Sequence, residues 1–210
     1  MPTINDFIAE NDGGAQSDIL AVVGNQDNAG GMCMMLSINW IINITKPGAN
    51  APNAVWRDMR DQIKSKGGQA YLKQIGQQQV GYTTHFGPKQ KMTWSQSAGE
   101  LVPLATYSKL KTAPLAPNSF ASAPDMATRV NAGLGVSTTL PKTVLIIFAF
   151  QTYAHAIAAT VAGTKTYIFD PNFGVLIADT AANQSPAAAL AALHARYGIS
   201  EGIVIPVQTA

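Results

Sequence analysis

The chain has 210 residues, 47% of them hydrophobic and only 12% charged, with a formal net charge of +2. That is enough apolar material for one domain with a sizeable core, and a single domain over residues 1–210 is expected. The composition argues against several classes: no Lys- or Arg-rich run supports nucleic-acid binding, no apolar run reaches the ~18–20 residues of a membrane span, and a lone cysteine excludes an internal disulfide framework and a multi-thiolate zinc site.

In chain order, residues 1–18 are polar and weakly periodic, and are expected to form an arm or a short helix. The start lacks the basic end and apolar core of a cleavable signal peptide. The expectation is therefore a chain exported by machinery that reads no such signal or, alternatively, a cytoplasmic one. Residues 19–23 are a short apolar run, expected as a strand leading into a polar, glycine-rich loop at 28–31. From Met32 to about Thr45 the spacing of Met35, Leu36, Asn39, Trp40, Ile42 and Asn43 predicts a helix, stopped before Lys46-Pro47-Gly48. Asn53 is the expected cap of a second helix, with Val55, Trp56, Met59 and Ile63 as its buried stripe and Gly67-Gly68 at its end. Arg57, Asp58, Arg60 and Asp61 form its solvated side. Tyr71, Leu72 and Ile75 mark a short helix before the glutamines at 77–79. Residues 80–142 are rich in Ser, Thr, Pro, Gly and Ala and carry little pattern; His85 there reads as a loop histidine. Residues 125–131 fit a short capped helix that Gly133 ends.

From Lys142 the pattern turns to strands. Residues 144–150 are continuously apolar, as in a strand buried on both faces. Residues 154–162, 165–170 and 173–177 follow as three more. Ser185-Pro186 opens an alanine-rich helix to about Tyr197, with Pro186 suited to the first helical position. His194 near its end reads as structural, since a cation suits a helix C-terminus. Residues 203–207 form a last strand, where Pro206 favours a sheet edge or the strand's end.

The chemistry centres on Cys33. It falls in the first turn of its helix, where free N–H groups and the helix dipole favour an anion, and the thiolate is the nucleophilic form of cysteine. A buried, inert cysteine is the competing reading. Gly163-Thr164 has the signature of a two-residue type II′ hairpin loop. With that turn Ala162 pairs with Lys165, so His155 faces Asn172 and Ile157 faces Asp170. Asp170 is then the diagonal neighbour of His155 on one face, within reach of its ring, and Asn172 is a second candidate partner. A cysteine, a histidine and an acid are the nucleophile, base and orienter of an activated thiol.

The run Gly31-Met32-Cys33-Met34-Met35-Leu36-Ser37-Ile38-Asn39-Trp40-Ile41, then His155-Ala156, then Ile168-Phe169-Asp170-Pro171-Asn172-Phe173-Gly174, resembles the YopT/AvrPphB-type cysteine proteases. The order Cys, His, Asp agrees, as does the short gap from His155 to Asp170. The likeness is confined to about a fifth of the chain, around these blocks. It implies an α+β papain-like fold, in which a helical part carrying the nucleophile packs on an antiparallel sheet carrying His and Asp. It further implies Cys33 as nucleophile, His155 as general base and acid, and Asp170 as orienter. The activity implied is peptide-bond hydrolysis in a protein substrate, a host protein among the possibilities, by a secreted bacterial effector. Little sequence precedes Cys33, which is a departure from the family and puts self-processing and membrane targeting in question. The backbone N–H of Cys33 is one natural oxyanion donor. Papain-like enzymes add a side-chain amide a few residues earlier, and Asn28 is the choice over Gln26.

Besides an endopeptidase, the same residues suit a cell-wall peptide amidase acting as a toxin, or an acyltransferase or glutamine deamidase. A non-catalytic binding module with a buried cysteine is the fourth reading. No cofactor and no metal is expected, and the chain is expected to be a monomer.

Overall fold

The computed structural model describes residues 2–8, 32–65, 67–86, 110–112, 119–150 and 153–208. The strand expected at 19–23, the loop at 28–31 and Asn28 itself lie outside the described residues.

Five helices are described: α1 (Cys33–Ile44), α2 (Pro52–Lys64), α3 (Gly68–Phe86), α4 (Ala123–Val136) and α5 (Pro186–Tyr197). Seven strands, β1 (Lys111–Thr112), β2 (Ser119–Phe120), β3 (Lys142–Phe150), β4 (Tyr153–Ala162), β5 (Lys165–Asp170), β6 (Gly174–Asp179) and β7 (Ile199–Gln208), form one antiparallel sheet. Its order is β1-β7-β3-β4-β5-β6, with β2 also on β7. The β4–β5 hairpin has the expected register, Ala162 opposite Lys165 through Ala158 opposite Phe169. Gly163 takes a positive φ of 61° and Thr164 does not, as a type II′ turn requires.

Helices cover both faces of the sheet, and the period of two along each strand divides the core accordingly. On β4, Ala156 and Ala158 face the cluster built by α1, α2 and α3, while Ile157 and Ala159 face the cluster under α4 and α5. Because both faces are buried, β3 reads as a continuous apolar run rather than an alternating one. Helix α1 is buried almost all round, which is why its apolar residues outnumber a single stripe: Asn39, Ile42 and Asn43, expected within the buried stripe, form its half-exposed side instead. Asn39 and Asn43 turn their amides back onto the carbonyls of Met35 and Asn39. In α2 all four expected stripe residues are buried. No described helix is long and apolar enough to cross a membrane.

Several boundaries differ from expectation. The N-cap of α2 is Ala51, with Pro52 at the first helical position; proline's fixed φ sets the start and Asn53 lies inside. Helix α3 continues through the glutamines to Phe86, so His85 is helical rather than in a loop; glutamine is a good helix former and nothing there breaks the helix. Ser122 caps α4 by accepting from the Asp125 N–H, and the helix runs past Gly133. A Cβ on Gly133 would lie 2.9 Å from Val144 Cγ1 and 3.1 Å from Val204 Cγ1, so this glycine serves close helix–sheet approach rather than termination. Strand β6 begins at Gly174, since residues 171–173 form a turn closed by the Phe173 N–H on the Asp170 carbonyl. Strand β7 lies inside the sheet, so Pro206 is not on an edge; it sits near the strand's end, opposite Val144. Residues 2–8 take the short-helix alternative rather than the arm, with a 3-10 turn at Ile4–Asp6 in a packed segment. Ile4 and Phe7 are buried, Ile8 bridges to Leu176, and the Ile177 N–H donates to the Phe7 carbonyl at 2.7 Å.

Candidate active site

Cys33 is the first residue of α1 and is 8% exposed. Its N-cap, Met32, makes no side-chain cap hydrogen bond, so among the described residues no side chain caps the N–H groups of the first turn. Two contacts fix this helix against the strands. One turn along, Ser37 donates its buried hydroxyl to the Ala156 carbonyl at 3.0 Å. Further on, Trp40 stacks on Phe169 with ring centroids 5.3 Å apart and 18° between planes, while its indole N–H donates to the Pro52 carbonyl at 3.0 Å. Ala156 follows His155 and Phe169 precedes Asp170, so Ser37 and Trp40 set the helix's register on both strands that carry polar site residues. Residues 33 and 37 share a helix face, which brings Cys33 alongside β4 one turn before Ser37.

His155 and Asp170 meet as the hairpin register requires. His155 Nε2 lies 3.0 Å from Asp170 Oδ1, with the two side chains 5% and 0% exposed. Cys33 acts on the same imidazole electrostatically, in the direction that favours its charged form. Phe148, directly opposite His155 across β3–β4, meets the imidazole edge-on at 5.5 Å, and Phe150 does so at 6.4 Å. Asn172, the second candidate, is not on the histidine. Its backbone N–H donates to Asp170 Oδ1 at 2.8 Å, because the strand has already turned at Pro171.

A residue that sequence reasoning passed over stands at the centre of this group. Tyr197, half-buried at the last position of α5, donates its hydroxyl to Asp170, 2.9 Å from Oδ2 and 3.1 Å from Oδ1. The same oxygen accepts from Asn172 Nδ2 at 2.9 Å and lies 3.3 Å from His155 Nε2. Nothing in the local pattern marks it: it reads as the end of an alanine-rich helix before Gly198. His194, one turn earlier, has no hydrogen-bond partner for its buried Nε2 among the described residues, and burial pushes its pKa down. Burial thus outweighs the helix dipole, which alone would favour the cation expected there.

The electrostatics favour a charged imidazole. Burial opposes the cation on His155, but the Asp170 carboxylate, through its charge and its hydrogen bond, outweighs that penalty. With Cys33 adding in the same direction, the pKa is pushed up to about 10. Burial and the same carboxylate raise the pKa of Tyr197, so its hydroxyl keeps its proton and stays a donor. Chemically, the group pairs a thiol at a helix start with an imidazolium and a desolvated carboxylate.

Comparison with known proteins gives a family match and similarity to solved structures. The model of the Peptidase_C58 family, described as Yersinia/Haemophilus virulence surface antigen, matches residues 15–199. Among solved structures, the crystal structure of the Pseudomonas avirulence protein AvrPphB is similar at 16% identity, with a TM-score of 0.55 over 97% of this chain and 99% of that one. No curated protein matches the chain.

Proposed function

We propose the following catalytic reading from the premise that the chain belongs to the Peptidase_C58 family, a family of cysteine peptidases that act on protein substrates. Cys33 is the nucleophile, His155 the general base and acid, and Asp170 the group that orients and charges the imidazole. The observation that carries this reading is the buried 3.0 Å contact of His155 Nε2 with Asp170, on an imidazole whose charged form Cys33 also favours. The Cys33 thiolate attacks the carbonyl carbon of the scissile peptide bond, and the oxygen takes the negative charge. The first turn of α1 offers the Cys33 N–H to that charge, and the amide of Asn28 is proposed as the second donor. When the intermediate collapses, the C–N bond breaks and His155 gives its proton to the departing amine, leaving a thioester on Cys33. His155 then takes a proton from water as it attacks the thioester, and the Cys33 sulfur leaves with its electron pair. The carboxylic acid product and the free enzyme result.

The naming of the family and of the AvrPphB neighbour as virulence and avirulence proteins supports a bacterial effector, and delivery into a host cell is proposed with it. The test is intact-mass analysis after exposure to an epoxide inhibitor selective for papain-like thiols, followed by cleavage of unfolded protein substrates. Wild type should gain one inhibitor mass and cleave; Cys33→Ala should do neither while keeping the same thermal transition. A folded Cys33→Ala protein that still cleaves would end the reading. Hydrolysis confined to cell-wall peptides or to glutamine side chains would replace the endopeptidase with an amidase or deamidase on the same thiol.

A further inference from the structure

We propose that Tyr197 is a positioning residue that holds Asp170, and through it His155, in the reactive arrangement. The inference rests on the reading of Cys33 and His155 as a reactive pair. Asp170 is fully buried, so each of its lone pairs must be met inside the protein. Oδ1 accepts from His155 Nε2 at 3.0 Å and from the Asn172 N–H at 2.8 Å. Oδ2 is left to the Tyr197 hydroxyl at 2.9 Å. Among the described residues, the carboxylate without that donor has one oxygen satisfied and one bare. It can recover only by rotating away from the imidazole or by admitting water.

The hydroxyl is itself saturated. Its one proton goes to Asp170, one lone pair accepts from Asn172 Nδ2, and the other lies 3.3 Å from His155 Nε2. It therefore braces the carboxylate and gives the imidazolium N–H a second acceptor. The ring adds a lateral constraint, with its centroid 5.2 Å from that of His155 and 5.2 Å from that of Phe148. The tyrosine is held in turn, because Gly198 ends α5 in a left-handed conformation directly after it and passes the chain into β7. The charged and titratable groups facing His155 are Asp170 from β5, Tyr197 from α5 and Cys33 from α1; Phe148 and Phe150 of β3 close the remaining side.

The test needs no substrate. The rate of iodoacetamide alkylation of Cys33 is followed by intact mass from pH 5 to 10 in wild type, His155→Ala, Tyr197→Phe, Asp170→Asn and the double variant Tyr197→Phe/Asp170→Asn. Losing one hydrogen bond to a charged group should lower the Tyr197→Phe rate at pH 6 by about tenfold. The pH–rate profile should move upward with it. In the Asp170→Asn background the same substitution should change the rate by less than about twofold, since a residue acting through Asp170 has nothing left to hold. A merely structural tyrosine would lower the melting temperature and leave the profile in place, which overturns the proposal. So does an equal drop in both backgrounds. If Tyr197→Phe loses its cooperative thermal transition, Asn172→Ala carries the test, since it frees the same hydroxyl with the ring retained. About a twofold drop is then expected in wild type and none in Asp170→Asn, and no drop in wild type overturns the proposal. If His155→Ala also leaves the wild-type profile unmoved, it is the reactive pair that fails, an outcome distinct from failure of Tyr197 alone.

Discussion

Raising the pH from 6 to 10 should weaken the fold through one side chain, His155. Folded, it holds its proton to about 10; an unfolded histidine releases it near 6.5. Below 6.5 both states are protonated and the stabilisation is fully present. Between 6.5 and about 10 the folded chain carries one more proton than the unfolded chain, so stability falls as pH rises, and beyond about 10 the contribution is gone. The limiting slope is ~1.4 kcal/mol per pH unit, and the whole window is worth on the order of 5 kcal/mol. For a domain whose total stability is about 5–15 kcal/mol this is a large share. Lysines and tyrosines also titrate towards the upper end, so the measurement is a difference. Urea unfolding of wild type and of His155→Gln, which keeps a polar side chain and cannot titrate, is compared at pH 6, 7, 8 and 9. The stability of wild type over His155→Gln should shrink by about 1 kcal/mol per unit between pH 7 and 9. A difference that stays flat or grows over that range would refute the buried imidazolium–carboxylate pair.

Asp170→Asn should reduce turnover by at least two orders of magnitude more than Asn172→Ala, because an amide can orient the ring but not hold its charge; comparable losses in steady-state kcat would mean that the orienting role is misassigned. Gly202→Ala should cost about 2–3 kcal/mol in denaturant unfolding. The added Cβ would press against the Phe120 ring and lie 2.6 Å from the Ile147 carbonyl oxygen, and the backbone there is held between β3 and β2. A midpoint equal to wild type would show that β2 yields at no cost.

Much of the sheet was legible because its signals are local. Gly163-Thr164 fixes a turn, the turn fixes a register, and the register brings Asp170 to His155 before any tertiary contact is known. The same logic overreached: it carried the ladder beyond Ala158–Phe169, where the pairing ends, and set Asn172 opposite the histidine, where the chain has already turned. The approach of Cys33 to His155 was not legible from spacing. It depends on Ser37 meeting Ala156 and Trp40 meeting Phe169, pairings between residues more than a hundred positions apart. Tyr197 was invisible for the same reason, since its role is set by the fold of α5 onto β5 and by no neighbour in sequence. Helix ends failed where one residue type has two uses. Gly133 could stop a helix or let one lie close to a sheet, and only the facing Val144 and Val204 decide which.

The alternation of side chains along β4 has a consequence for how the enzyme is armed. His155 belongs with Ile157 and Ala159, on the face covered by α4 and α5, and it contacts Tyr197 there. Cys33 belongs to the other layer, in the cluster of α1, α2 and α3. On the proposed reading, the thiol and the imidazole are therefore delivered by different halves of the interior. Neither half can assemble the reactive pair alone. A chain in which only one layer has packed, during synthesis or after partial unfolding, carries an isolated thiol or an isolated histidine. On that reading the peptidase stays inert until both interiors have closed.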